Sequence, residues 1–142
     1  MDNNIDILNE LNKGCDMGIE AIEMILDKVQ DNDLKKLLED FHKDYDYFSD
    51  DIKKLYLEYS NCELDKINMM EKAMAWYGIM KDTLLDSSNS KISEIMIQGT
   101  TMGIVEGRKI LNHKKMDKRI HSLCEKFVNT QEKYVEKLKK YL

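Results

Sequence analysis

Gly14-Cys-Asp-Met-Gly-Ile-Glu-Ala-Ile-Glu-Met-Ile-Leu26 is answered 85 positions later by Gly99-Thr-Thr-Met-Gly-Ile-Val-Glu-Gly-Arg-Lys-Ile-Leu111. Six of the thirteen positions are identical: both leading glycines, Met, Ile and the closing Ile-Leu. Self-similarity at a fixed offset points to a repeated supersecondary unit. The match continues outward once the register shifts by one residue in the following turn. Glu39 then overlies Glu125, Phe41 overlies Phe127, Phe48 overlies Tyr134, and Lys53-Lys54 overlies Lys139-Lys140. Two copies of one helical hairpin are therefore expected. This duplication sets the architecture and leaves the activity open.

Working outward, the apolar residues recur at spacings of three and four. Helices are predicted over about 5–29, 34–58, 66–85, 91–112 and 117–142. The first buries Ile5, Leu8, Leu11, Cys15, Ile19, Ile22, Leu26 and Val29. The second buries a stripe through Leu34, Leu38, Phe41, Tyr45, Phe48, Ile52 and Leu55, with Asp33 or Asn32 as its cap. The last carries Ile120, Leu123, Cys124, Phe127, Gln131, Tyr134 and Leu138 inward. The chain thus divides into a hairpin over 5–58, a crossover helix over 66–85 and a hairpin over 91–142. Twenty helical residues span roughly 30 Å, enough to carry the chain from one end of a bundle to the other. The expected class is all-α: one domain, an antiparallel four-helix bundle with one additional crossover helix.

Composition agrees with helices. Proline is absent from all 142 residues, and 35% of them are charged. No apolar run reaches the ~20 residues of a membrane span. The opening Met-Asp-Asn-Asn lacks the features of a secretory signal, so a cytoplasmic location and no membrane association are expected. The first 65 residues carry 18 acidic and 7 basic side chains, and the remaining 77 carry 9 and 15. So acidic a half argues against a nucleic-acid partner and for attraction between the halves. Cys15, Cys62 and Cys124 form no metal-type pair, and buried thiols are the expectation.

All six glycines fall inside predicted helices, where each costs about 1 kcal/mol against alanine. Gly99, Gly103 and Gly107 form one axial line, and Gly14 and Gly18 a shorter one. The expectation is that the first and fourth helices cross antiparallel at these lines, so that Gly103→Leu unfolds the protein. The alternative is that the missing side chains leave room for a ligand. A second apolar strip, Met17, Ala21 and Met24, must face the crossover helix or another subunit. It is the sequence's one hint of a homo-oligomer, and no protein partner can be named.

Two hairpins joined by a long crossover resemble the ferritin-like superfamily. More narrowly, the chain is similar to a bacterial branch of it known only as a domain of unknown function, related to ferritin and rubrerythrin. The resemblance rests on three segments. They are Ile7-Leu-Asn-Glu-Leu-Asn-Lys-Gly14, the Trp76-containing crossover with Lys81 and Leu84, and the Gly99 segment.

Metal-bearing ferritin-like proteins place a Glu on each of two helices and a Glu-x-x-His on each of the other two, all inward. The resemblance therefore implies Glu20 or Glu23, Glu39, His42, Glu106 and Glu125 as ligands for iron, in an oxidoreductase or iron-handling protein. Helix phase opposes this. With Phe41 and Ile52 inward, Glu39 falls about 150° away at ~100° per residue. Val128 stands where the second copy needs a histidine. Turning the carboxylates inward would expose Leu, Ile and Phe, each worth ~1.5–3 kcal/mol when buried. The expected reading is a non-enzymatic binding or self-association module with no catalytic or cofactor-binding residues and no intact di-metal site.

Two further features have a plain structural account. His113 and His121 flank a basic turn of Arg108, Lys109, Lys114, Lys115, Lys118 and Arg119, whose cations complement a helix C-terminus. Met69, Met70, Met74, Met80, Met96 and Met102 serve as pliable core filler.

Overall fold

The computed structural model describes residues 3–62, 64, 81 and 85–142. Four α-helices account for almost all of them: α1 (Asn4–Leu26), α2 (Asn32–Ser60), α3 (Asn89–His113) and α4 (Lys118–Leu138). Among the described residues one 3-10 turn, Lys139–Tyr141, follows α4. The expected crossover helix, with Met69, Met70, Met74, Trp76, Gly78, Met80 and Leu84, lies outside the described residues. No described helix is long and apolar enough to cross a membrane.

The helix ends follow local chemistry. Asp31 has an extended backbone, and its carboxylate accepts the Leu34 N–H at 2.9 Å. It therefore caps α2 one residue before the expected Asn32 and two before Asp33. α2 ends where Asn61 enters the left-handed region at φ 56°, and its N–H closes on the Leu57 carbonyl. Ser88 caps α3 by accepting the Lys91 N–H at 3.2 Å. α1 stops at Leu26, three residues short of the expected Val29, and a tight turn through Lys28 and Val29 follows. Val29 stays buried all the same.

Contacts at the two ends give the helix directions. The Asn3 N–H donates to the Lys115 carbonyl at 3.2 Å, and the Asp117 N–H donates to Asn4 Oδ1 at 2.9 Å. The Tyr59 hydroxyl donates to Asp117 at 2.8 Å. So α1 and α4 begin where α2 ends. At the other end, Gln30 and Asp31 border the same surface depression as Ser87, Ser88 and Asn89. α3 therefore begins beside the α1–α2 turn and runs in the same direction as α2. α1 packs along α2 and α3 along α4. The two hairpins then meet edge to edge, α1 beside α3 and α2 beside α4.

The core sits where the apolar stripes converge. Ile7, Leu8, Ile22, Leu34, Leu38, Ile52, Ile92, Ile120 and Leu138 are wholly enclosed. The seam between α2 and α4 is aromatic. Phe41 lies between Tyr45 (4.5 Å) and Tyr134 (4.2 Å) in a near-parallel stack. Phe48 meets Phe127 edge-on at 5.4 Å. The Tyr134 hydroxyl donates to Asp44 at 2.6 Å, and Arg119 pairs with Glu58 at 2.7 Å. Both polar contacts join the acidic first half to the basic second half. The Arg119 guanidinium holds the Glu58 carboxyl below its ordinary range. The pair is exposed, so it orients the hairpins more than it stabilises them.

Candidate functional site

The seam between α1 and α3 is built differently. A cleft of about 240 Å³ lies there, walled by Gly14 and Gly18 of α1 and by Gly99, Gly103 and Gly107 of α3. Leu11, Met17, Ala21, Met96, Ile110 and Phe127 complete its apolar lining. The expected close crossing of the two glycine lines is corrected by this geometry. Side chains of α2 and α4 fill the glycines' gaps. A Cβ on Gly18 would lie 2.5 Å from the Tyr45 ring, and one on Gly107 would collide with Val128. Both neighbours belong to the glycine's own hairpin. The Gly107 carbonyl also accepts the Cys124 thiol at 3.8 Å, so the tight approach of α3 is to α4.

At Gly103 the Cβ space holds the amide of Gln131. The backbone-contact reason for expecting Gly103→Leu to unfold the protein therefore does not hold. Ala21 is buried, Met17 half-buried, both line the cleft, and Met24 is 40% exposed.

One polar cluster interrupts the apolar lining. Tyr45, Thr100 and Gln131 all border the cleft, and each is almost fully buried. The Tyr45 hydroxyl donates to Gln131 Oε1 at 3.3 Å. Gln131 Nε2 has no partner among the described residues. Burial, then the neighbouring Cys15, push the Tyr45 phenol far above its ordinary value. It stays a protonated donor. The sequence placed Gln131 on an apolar stripe and drew no role from it. The available signal was an amide four residues after Phe127, where the first hairpin carries Tyr45.

The iron-site candidates are scattered. Glu39 is exposed on α2. His42 Nε2 lies 2.9 Å from Glu23 Oε1, and its Nδ1 lies 3.3 Å from Asp46 Oδ2. That brings Glu23 and His42 together on the outside of the first hairpin. Glu20 is half-buried on α1. Glu106 is exposed on α3 and pairs with Lys109 at 3.7 Å, and Glu125 pairs with His121 at 3.9 Å. Among the described residues no three His, Cys, Asp or Glu side chains are placed to share a metal ion. Cys15 and Cys124 are buried free thiols, as expected; Cys62 is exposed, which corrects the expectation for it.

No family model, curated protein or solved structure matches this chain.

The buried thiols and phenols give a pH dependence with a definite sign. Burial raises Cys15 well above its ordinary value, pushes Cys124 up to about 11, and raises Tyr45 and Tyr134. The Asp44 contact adds to the rise at Tyr134. An unfolded chain sheds these protons near the ordinary values of 9.0 and 10.0, while the folded chain keeps them. Their contribution is complete below about pH 9 and is lost as pH climbs through the folded-state values. The urea midpoint should therefore fall steadily between about pH 9 and pH 11. A midpoint that stays constant across that window would show that these groups ionise in place.

Proposed function

We propose that this chain is a non-enzymatic binding module of ferritin-like build, and that its site is the cleft between α1 and α3. The observation that carries the reading is the cleft itself: an apolar hollow walled by five helical glycines. Glycine in a helix interior loses stability, and close backbone contact between α1 and α3 does not account for these lines. Kept space does. A dry apolar cavity of ~150 Å³ is enough to take a benzene ring. The cleft's charged neighbours are Glu10, Lys13 and Glu106. Glu10 pairs with Lys13 at 3.5 Å and Glu106 pairs with Lys109. Among the described residues, acid, base and nucleophile do not converge there as a catalyst needs.

Two observations support the ferritin-like build. α2 ends and α3 begins at opposite ends of a bundle about 40 Å long. A single long connection between such ends marks ferritin-like bundles. Contacts also recur in corresponding places. Phe41 against Tyr134 answers Phe127 against Phe48, and Gly18 over Tyr45 answers Gly103 over Gln131.

Titration with toluene, followed by amide chemical shifts, tests the site. Shifts should concentrate in α1 and α3 around Met17, Gly18, Thr100 and Gly103. Met17→Trp enlarges a half-buried lining residue and should weaken binding about tenfold or more. Absent or scattered shifts would overturn the assignment.

A further inference from the structure

The cleft is not uniformly apolar, and one unsatisfied polar atom among the described residues that line it specifies a ligand. Gln131 is 2% exposed, and its Nε2 finds no acceptor. Burying an amide N–H without a partner costs about 1–3 kcal/mol. Orphans of this kind in native structures call for an explanation. The hydrogen-bond chain sets which end of the amide is left over. The Tyr45 proton goes to Gln131 Oε1, and Nε2 remains as a donor without an acceptor. Gln131 borders the cleft, and its amide lies in the space that the missing Gly103 side chain leaves. The titratable side chains of the lining are paired at the rim and offer no countercharge to an ionic ligand.

We infer that the cleft takes an uncharged, mainly apolar molecule carrying one hydrogen-bond acceptor, and that Gln131 Nε2 donates to that acceptor. The inference rests on the binding reading above and adds the ligand's chemistry. The volume suits a substituted benzene ring: an aromatic ketone, ester or ether rather than a fatty acid or a nucleotide. The aromatic side of the cleft is Phe127, and Leu11, Met17, Met96 and Ile110 surround the rest.

Acetophenone and α-methylstyrene have nearly the same shape and differ in whether a carbonyl oxygen is present. A purely apolar pocket prefers the hydrocarbon, because the ketone must give up its hydration. With Gln131 present the ketone recovers a hydrogen bond. The ratio of ketone to hydrocarbon affinity, read by calorimetry, should therefore shift about tenfold toward the hydrocarbon in Gln131→Met. A wild-type measurement needs no variant to fold. Acetophenone should move the Gln131 side-chain amide proton signal downfield, and α-methylstyrene should leave it in place. An unchanged affinity ratio in Gln131→Met, or an amide signal that responds equally to both probes or to neither, would overturn the acceptor inference. If toluene binds in that case, the cleft remains a binding site. If toluene fails as well, the binding reading falls with it.

Discussion

Phe41→Ala is expected to lower stability by about 3–5 kcal/mol, the range for truncating a fully buried aromatic ring. Phe41 is 1% exposed and lies in a three-ring stack, 4.5 Å from Tyr45 and 4.2 Å from Tyr134. Its removal opens a cavity in the α2–α4 seam and deletes both stacking contacts, each worth about 0.5–1.5 kcal/mol beyond area burial. The neighbours cannot collapse freely. Tyr134 is held by its 2.6 Å hydrogen bond to Asp44, and Tyr45 is pinned between Gln131 and Gly18. A domain of this size has about 5–15 kcal/mol in total, so the loss is a large share of it. Urea denaturation followed by circular dichroism measures the effect. Leu57→Ala, at a side chain 51% exposed, is the control and should stay within about 0.5 kcal/mol. A Phe41→Ala loss near that of the control would mean that the stack does not bind the hairpins together.

The rotational setting of each helix was legible in the sequence because burial dominates it. Leu38, Phe41, Tyr45 and Ile52 share one face at helical spacing, and no polar group competes for that face strongly enough to turn α2. The same setting leaves Glu39 in water. The cap of α2 was displaced by one residue because three adjacent residues, Asp31, Asn32 and Asp33, all have capping side chains. Backbone conformation chooses among them. The glycines were misread for a deeper reason. A glycine's position can be read from the chain, but what fills the gap beside it depends on a neighbour distant in sequence. Tyr45 fills the gap at Gly18, Val128 the gap at Gly107 and Gln131 the gap at Gly103. Periodicity gives no weight to such pairs. The polar cluster was missed for the same reason: Tyr45, Thr100 and Gln131 lie on three helices and become a group only after packing.

Gly107→Leu should abolish the folded state, while Gly14→Ala should leave stability unchanged or raise it by up to about 1 kcal/mol. The contrast separates tight packing from kept space. At Gly107 even a Cβ collides with the Val128 side chain, which is branched and 0% exposed and so cannot swing away. The Gly107 carbonyl also takes the Cys124 thiol, so a shift of α3 away from α4 would break that contact as well. Overpacking a rigid core costs about 1–3 kcal/mol per misfit, and leucine adds three carbons beyond the first collision. At Gly14 the nearest atom to an added Cβ is at 3.4 Å, on the Phe127 ring, an ordinary contact. Alanine there gains helix propensity and meets no obstacle. Paired melting curves of the two variants decide the matter. If Gly107→Leu melts cooperatively near the wild type, α3 and α4 are not locked at this point. Equal losses at both positions would mean instead that Gly14 is packed as tightly as Gly107, and the case for open space on the α1 side of the cleft would lose its foundation.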